Sequence, residues 1–141
     1  METINQKAIT VQATINGSVE KAWKQFNDPK AIVEWATGHP DWHTPSSEND
    51  LRVGGKFKTR MEAKDGSMGF DFEGTYTTIE ENKLIEYTMA DGRKVKVVFE
   101  TAGNGVLVTE TFDPENMNSE EMQRAGWQGI LDNFKAYVES H

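Results

Sequence analysis

The sequence predicts an α+β fold: a curved antiparallel sheet wrapped around a long C-terminal helix, with two short helices after the first strand. Three observations lead there. Residues 118–141 form the longest periodic stretch, and projected at about 100° per residue they place Trp127, Ile130, Leu131, Phe134, Tyr137 and Val138 on one helical face. Most of the chain before them shows alternation of period two, broken by turn dipeptides, as strands do. A chain of 141 residues can bury roughly two thirds of its unfolded surface, enough for one core without staples, so residues 1–141 are expected to form a single domain.

Residues 8–15 alternate Ile9, Val11, Ala13 and Ile15 with Thr10, Gln12 and Thr14, which predicts a strand with one covered face. Asn16-Gly17 ends it. Ser18 then caps a short helix over 19–27 whose Val19, Ala22, Trp23 and Phe26 share a face. Asp28-Pro29 supplies a cap and a proline at the first helical position, giving a second short helix to Trp35 or Ala36. Residues 37–47 hold Gly38, Pro40, Pro45 and Trp42 and read as a loop over a mouth or an edge.

The rest, to Asp113, reads as a meander in which turn geometry sets the register. A two-residue turn at Asp65-Gly66 sets Arg60 against Asp71 and Lys58 against Glu73 on one surface, and Met61 against Phe70 and Thr59 against Phe72 on the other. Around Glu81-Asn82 the same arithmetic pairs Tyr76 with Tyr87 and Thr78 with Ile85, but leaves Ile79 and Leu84 outside without a reason. A three-residue loop, 90–92, with Gly92 left-handed, pairs Tyr87 with Val95 and Ile85 with Val97. A turn at Gly103-Asn104 sets Phe99 against Val108, Val97 against Glu110 and Val95 against Phe112. These hairpins share one inner, mostly apolar face, with Glu110 as its single carboxylate, and one outer, charged face.

The final helix is expected to start at Asn118, with Glu121 completing a capping box. Gly126 and Gly129 border its apolar stripe and Gln123 projects into it. Glycine costs about 1 kcal/mol against alanine in a helix interior, so a close approach or open room is expected beside them.

Composition excludes several classes. The absence of cysteine removes disulfides, thiolate nucleophiles and Cys-ligated zinc. No signal-like N-terminus and no run of about 18 apolar residues is present, so a cytoplasmic protein is expected, with no membrane partner. A net charge of −8 argues against a nucleic-acid partner. His39 and His43 flank Pro40 and Asp41, yet the proline prevents a helical ligand pair and no third ligand is apparent, so neither metal nor cofactor is expected. Gly54-Gly55 lacks the lysine-serine ending of a phosphate loop and reads as a turn. No nucleophile elbow or second inward carboxylate supports covalent or glycosidase chemistry. His141 is expected to be disordered.

The order of strand, two short helices, six-stranded meander and long helix resembles the START-like, or helix-grip, fold. The motifs at residues 50–57 (DLRVGGKF), 72–76 (FEGTY), 109–113 (TETFD) and 126–133 (GWQGILDN) are similar to those of the activator of heat-shock-protein-90 ATPase homologue family within that superfamily. The likeness spans essentially the whole chain. It implies a stand-alone domain that binds a small hydrophobic or aromatic molecule between sheet and helix without catalysis. Two other activities occur among relatives: modulation of a chaperone ATPase as a protein-interaction module, and cavity-based action on polyketide-like substrates. The chaperone activity also uses an additional N-terminal domain in eukaryotic relatives, which weakens that reading here.

In such a cavity Phe57, Met61, Phe70, Phe72, Tyr76, Tyr87, Met89, Phe99 and Trp127 would form the walls, while Tyr76, Tyr87, Glu110 and Gln123 would orient a ligand. Each apolar member taken singly reads first as ordinary core, and the set rather than any one of them points to a cavity. Strand parity points Glu110 inward, where it must be paired, wetted or protonated; a bulge or a solvated rim would instead turn it out. Gly74, opposite Phe57, is expected to make a bend or leave space for that ring. Sequence does not distinguish a monomer from a weak dimer.

Overall fold

Local capping chemistry sets the first elements of the computed structural model, which describes residues 8–37 and 40–141. Strand β1 (Ile9–Asn16) buries every second residue and is followed by helices α1 (Val19–Asn27) and α2 (Pro29–Trp35). The Ser18 hydroxyl accepts from the Lys21 N–H at 3.1 Å, and the Asp28 carboxylate from the Lys30 N–H at 3.0 Å. Each bond satisfies one of the donors a helix start leaves open.

The meander follows as β2 (Trp42–Asn49), β3 (Lys56–Ala63), β4 (Gly69–Glu80), β5 (Leu84–Met89), β6 (Lys94–Ala102) and β7 (Gly105–Phe112). The seven strands form one antiparallel sheet in the order β1-β7-β6-β5-β4-β3-β2. With helix α3 (Glu120–Ser140) on its concave side, this is the α+β helix-grip fold. The four hairpins expected from the turns connect β3 to β7. The further strand, β2, lies where a loop was expected. Pro45 is tolerated there because β2 is an edge strand, and the pairing with β3 shifts register between His43 and Ser46, around the proline.

The registers across the turns at 65–66, 90–92 and 103–104 are those the turns predict, with Gly92 at φ +93°. The β4–β5 hairpin departs. Tyr76 does face Tyr87, but Thr78 faces Glu86 rather than Ile85, because a bulge adds one residue to β4. That residue reverses the parity beyond it, so Ile79 faces Ile85 and packs against the core. The outward Ile79 of the simple register is thereby corrected; Leu84, half-buried opposite Val98, gains no such explanation.

Helix α3 starts one residue later than expected. Ser119, not Asn118, is the cap, its hydroxyl accepting from the Met122 N–H at 3.1 Å. Asn118 is occupied elsewhere: its backbone and side-chain amides donate to the Glu115 carboxylate at 3.0 and 2.6 Å. Leu131, Phe134 and Val138 are fully buried, while Trp127, Ile130 and Tyr137 are partly so. One flank of α3 also covers the open edge of β1. Gln128 donates to the Gln12 carbonyl at 3.1 Å, Arg124 to that of Thr10 at 3.4 Å, and Glu139 accepts from the Asn16 N–H at 2.9 Å. Unpaired strand groups that could template aggregation are thus used. At the far end His141, expected to be disordered, stacks on Tyr137 at 4.0 Å.

The two short helices fill one end of the space between sheet and α3. Phe26 is the hub of this packing, 5.3 Å from Trp35, 5.4 Å from Phe99 and 5.2 Å from Phe134, and Trp23 meets Phe99 at 5.2 Å. The other end is not filled.

Candidate functional site

The unfilled end is a cavity of about 780 Å³ between the sheet, α2 and the first half of α3. Its volume lies within the roughly 300–1,000 Å³ of small-molecule sites. Ten of the eleven residues expected to line it do so: Phe57, Met61, Phe70, Phe72, Tyr76, Tyr87, Met89, Glu110, Gln123 and Trp127. The exception is Phe99, which belongs to the aromatic packing around Phe26 and does not reach the cavity. Phe70 sits at the mouth, 49 % exposed, with its ring 5.9 Å from that of Trp42.

Gln123 lines the wall but is no free anchor. Its Oε1 accepts from the Glu115 N–H at 2.9 Å, and its Nε2 donates to the carbonyls of Glu115 and Asn118 at 3.0 and 2.9 Å. It braces the connection between β7 and α3. Tyr76 is likewise engaged, donating to Asn49 Oδ1 at 2.5 Å. Burial pushes the phenols of Tyr76 and Tyr87 well above their ordinary range, so both remain neutral donors or acceptors.

Glu110 points inward, as strand parity requires: it pairs with Val97 and Val11 across the sheet, is 9 % exposed and lines the cavity. Among the described residues it has no hydrogen-bond or ion-pair partner. Desolvation therefore raises its carboxyl from 4.5 to about 8, and near neutrality it is largely protonated.

Two glycines shape the space. A methyl group at Gly74 would lie 2.8 Å from the Thr88 carbonyl and 2.9 Å from the Phe57 ring, so this glycine admits that ring as expected. At Gly126 a methyl group would meet nothing within 4 Å; here the helix leaves room rather than allowing a close approach.

Other lining residues escaped the sequence reading: Phe26, Ile32 and Trp35 from α1 and α2, Trp42 and Asn49 from β2, and Arg93 from the β5–β6 loop. Trp42 carried a signal, a large aromatic in an assumed loop. Arg93 carried none. Of the two loop histidines, His39 lies outside the described residues, and His43 sits 3.7 Å from Glu62. Among the described residues no cluster of potential metal ligands occurs, and no helix is long and apolar enough to cross a membrane.

A model of the family described as "Activator of Hsp90 ATPase homolog 1-like protein" matches residues 16–139. The chain belongs to this family. Among solved structures this AHSA1-like chain is similar to the AHSA1-like protein of Aeromonas hydrophila, at 48 % identity over 94 % of this chain and 92 % of that one, with a TM-score of 0.88. It is also similar to protein Chr148 of Cytophaga hutchinsonii, at 50 % identity over 94 % and 92 % of the two chains, with a TM-score of 0.83. Protein CV1439 of Chromobacterium violaceum, at 22 % identity over 94 % and 97 % and a TM-score of 0.84, shares the fold. No functionally curated protein matches the chain. The AHSA1-like helix-grip fold, a curved sheet closing on a helix, suits a ligand-binding or interaction domain.

Proposed function

We propose that this AHSA1-like protein binds a small, mainly apolar or aromatic molecule between its sheet and α3, without transforming it. The observation that carries the reading is the cavity of about 780 Å³, with aromatic and aliphatic walls and a buried carboxyl, Glu110, that has no hydrogen-bond or ion-pair partner among the described residues. Apolar walls supply affinity by area, and the few polar groups supply orientation. Native mass spectrometry of freshly purified protein tests it directly, through a retained small molecule. Titration with N-phenyl-1-naphthylamine tests it without knowledge of the ligand. Saturable dye emission, quenched Trp127 and a raised melting temperature are expected; absence of all three would refute binding.

A second reading has its own support. Met68, Met117 and Met122 are 64 %, 89 % and 64 % exposed, and adaptable methionines suit a protein partner. Interaction with a chaperone ATPase predicts a change in its ATP turnover on addition of this protein. An unchanged turnover, with no complex on gel filtration, removes that reading.

A further inference from the structure

Two features of the cavity wall point to one ligand chemistry. The first is a connected set of rings. Phe57 lies 4.8 Å from Tyr87, 5.4 Å from Tyr76 and 5.6 Å from Phe72, and Trp127 lies 6.1 Å from Phe72. Trp127 is held flat by Phe112, stacked at 3.9 Å with 10° between the planes, and Phe112 is two residues from Glu110 on β7. The second feature is Glu110 itself, the one lining carboxyl whose oxygens have no partner among the described residues. Glu115 also lines the cavity, but its oxygens accept from Met117 and Asn118 at 2.6 to 3.0 Å.

A ring face attracts a cation within about 6 Å, more strongly where water is excluded. A buried carboxyl gains from a counter-ion. A wholly apolar ligand would leave Glu110 unanswered, and an anion would meet a net charge of −8. Resting on the reading that the cavity binds a ligand, we propose that its ligand is an organic cation: an ammonium group on an apolar or aromatic body, seated between Glu110 and the neighbouring rings.

The other charged or titratable groups facing the cavity are Tyr76 and Tyr87 from the sheet, Arg93 from the β5–β6 loop and Glu115 from the β7–α3 connection. The phenols are neutral, and Arg93 is paired with Asp91 at 2.8 Å. Because Glu110 is largely protonated in the free protein, seating a cation drives its proton to the buffer.

Phenyltrimethylammonium and its neutral isostere tert-butylbenzene, titrated against the full chain, test this. The cation carries no ionisable proton of its own. It is expected to bind at least about tenfold more tightly than tert-butylbenzene at pH 8. Calorimetry at pH 6.5 in buffers of different ionisation enthalpy is expected to show release of nearly one proton per site. Glu110→Gln, checked for an intact fold by near-ultraviolet circular dichroism, should lower the affinity for the cation at least about tenfold and remove the proton release. Equal or tighter binding of tert-butylbenzene to the unmodified protein, or a cation preference that survives Glu110→Gln, overturns the inference and leaves cavity binding intact. The proton release needs no variant, so the test does not depend on folding of Glu110→Gln. Binding of neither probe overturns it together with the cavity reading.

Discussion

Glu110 is where a single side chain controls most. Its carboxyl keeps its proton in the folded protein to about pH 8 but loses it near 4.5 when unfolded. The native state therefore binds more protons between those values, and Glu110 lowers stability progressively as pH rises from 4.5 to about 8. At about 1.36 kcal/mol per pKa unit, the stabilisation gained by Glu110→Gln is expected to grow by roughly 3 kcal/mol between pH 5 and pH 8, read from paired urea titrations. A gain independent of pH would show Glu110 to be solvated. Gly74 is a second such position. Gly74→Ala must displace the Phe57 ring or the Thr88 carbonyl, and a loss of about 1–3 kcal/mol is expected in the same measurement. The ring facing a glycine was legible from register, whereas parity left Glu110 either inward or turned out by a bulge, and the structure places it inward. The saturation of Gln123 was not, because its partners belong to a connection whose path no periodicity describes.

At the scale of elements, α3 does three things at once. Its buried face closes the core through Leu131, Phe134 and Val138. Its flank covers the β1 edge through Gln128, Arg124 and Glu139. Its first half leaves the cavity open at Gly126. Gly126→Ala is expected to stabilise the helix by about 1 kcal/mol, since the new methyl group meets nothing, and thermal denaturation reads the gain. Helix caps and hairpin registers were mostly legible, because they depend on residues within a few positions of each other. The exceptions have physical causes. Asn118 was displaced as cap by its bonds to Glu115, the β4 bulge reversed the parity of Ile79, and Pro45 concealed an edge strand.

Across the whole molecule the space between sheet and α3 is divided into a filled end and an open one. Rings from α1, α2, β6 and α3 meet around Phe26 at the first, while at the second a cavity of about 780 Å³ remains between sheet and helix. A ligand held there binds the native state alone, so at a hundred times its dissociation constant it should add about 2.7 kcal/mol of stability. For a domain of this size that is roughly 8–10 °C in melting temperature, readable with N-phenyl-1-naphthylamine. The sequence by itself determined the α+β class, the two short helices and the register of most hairpins, because period, capping and turn geometry are local properties. Tertiary structure alone decided that Phe99 is core, that Asn49 answers Tyr76 from 27 residues away, and that a cavity of about 780 Å³ stays open beneath Gly126. Whether side chains fill a space depends on where separate elements stop relative to one another, and no local pattern carries that distance.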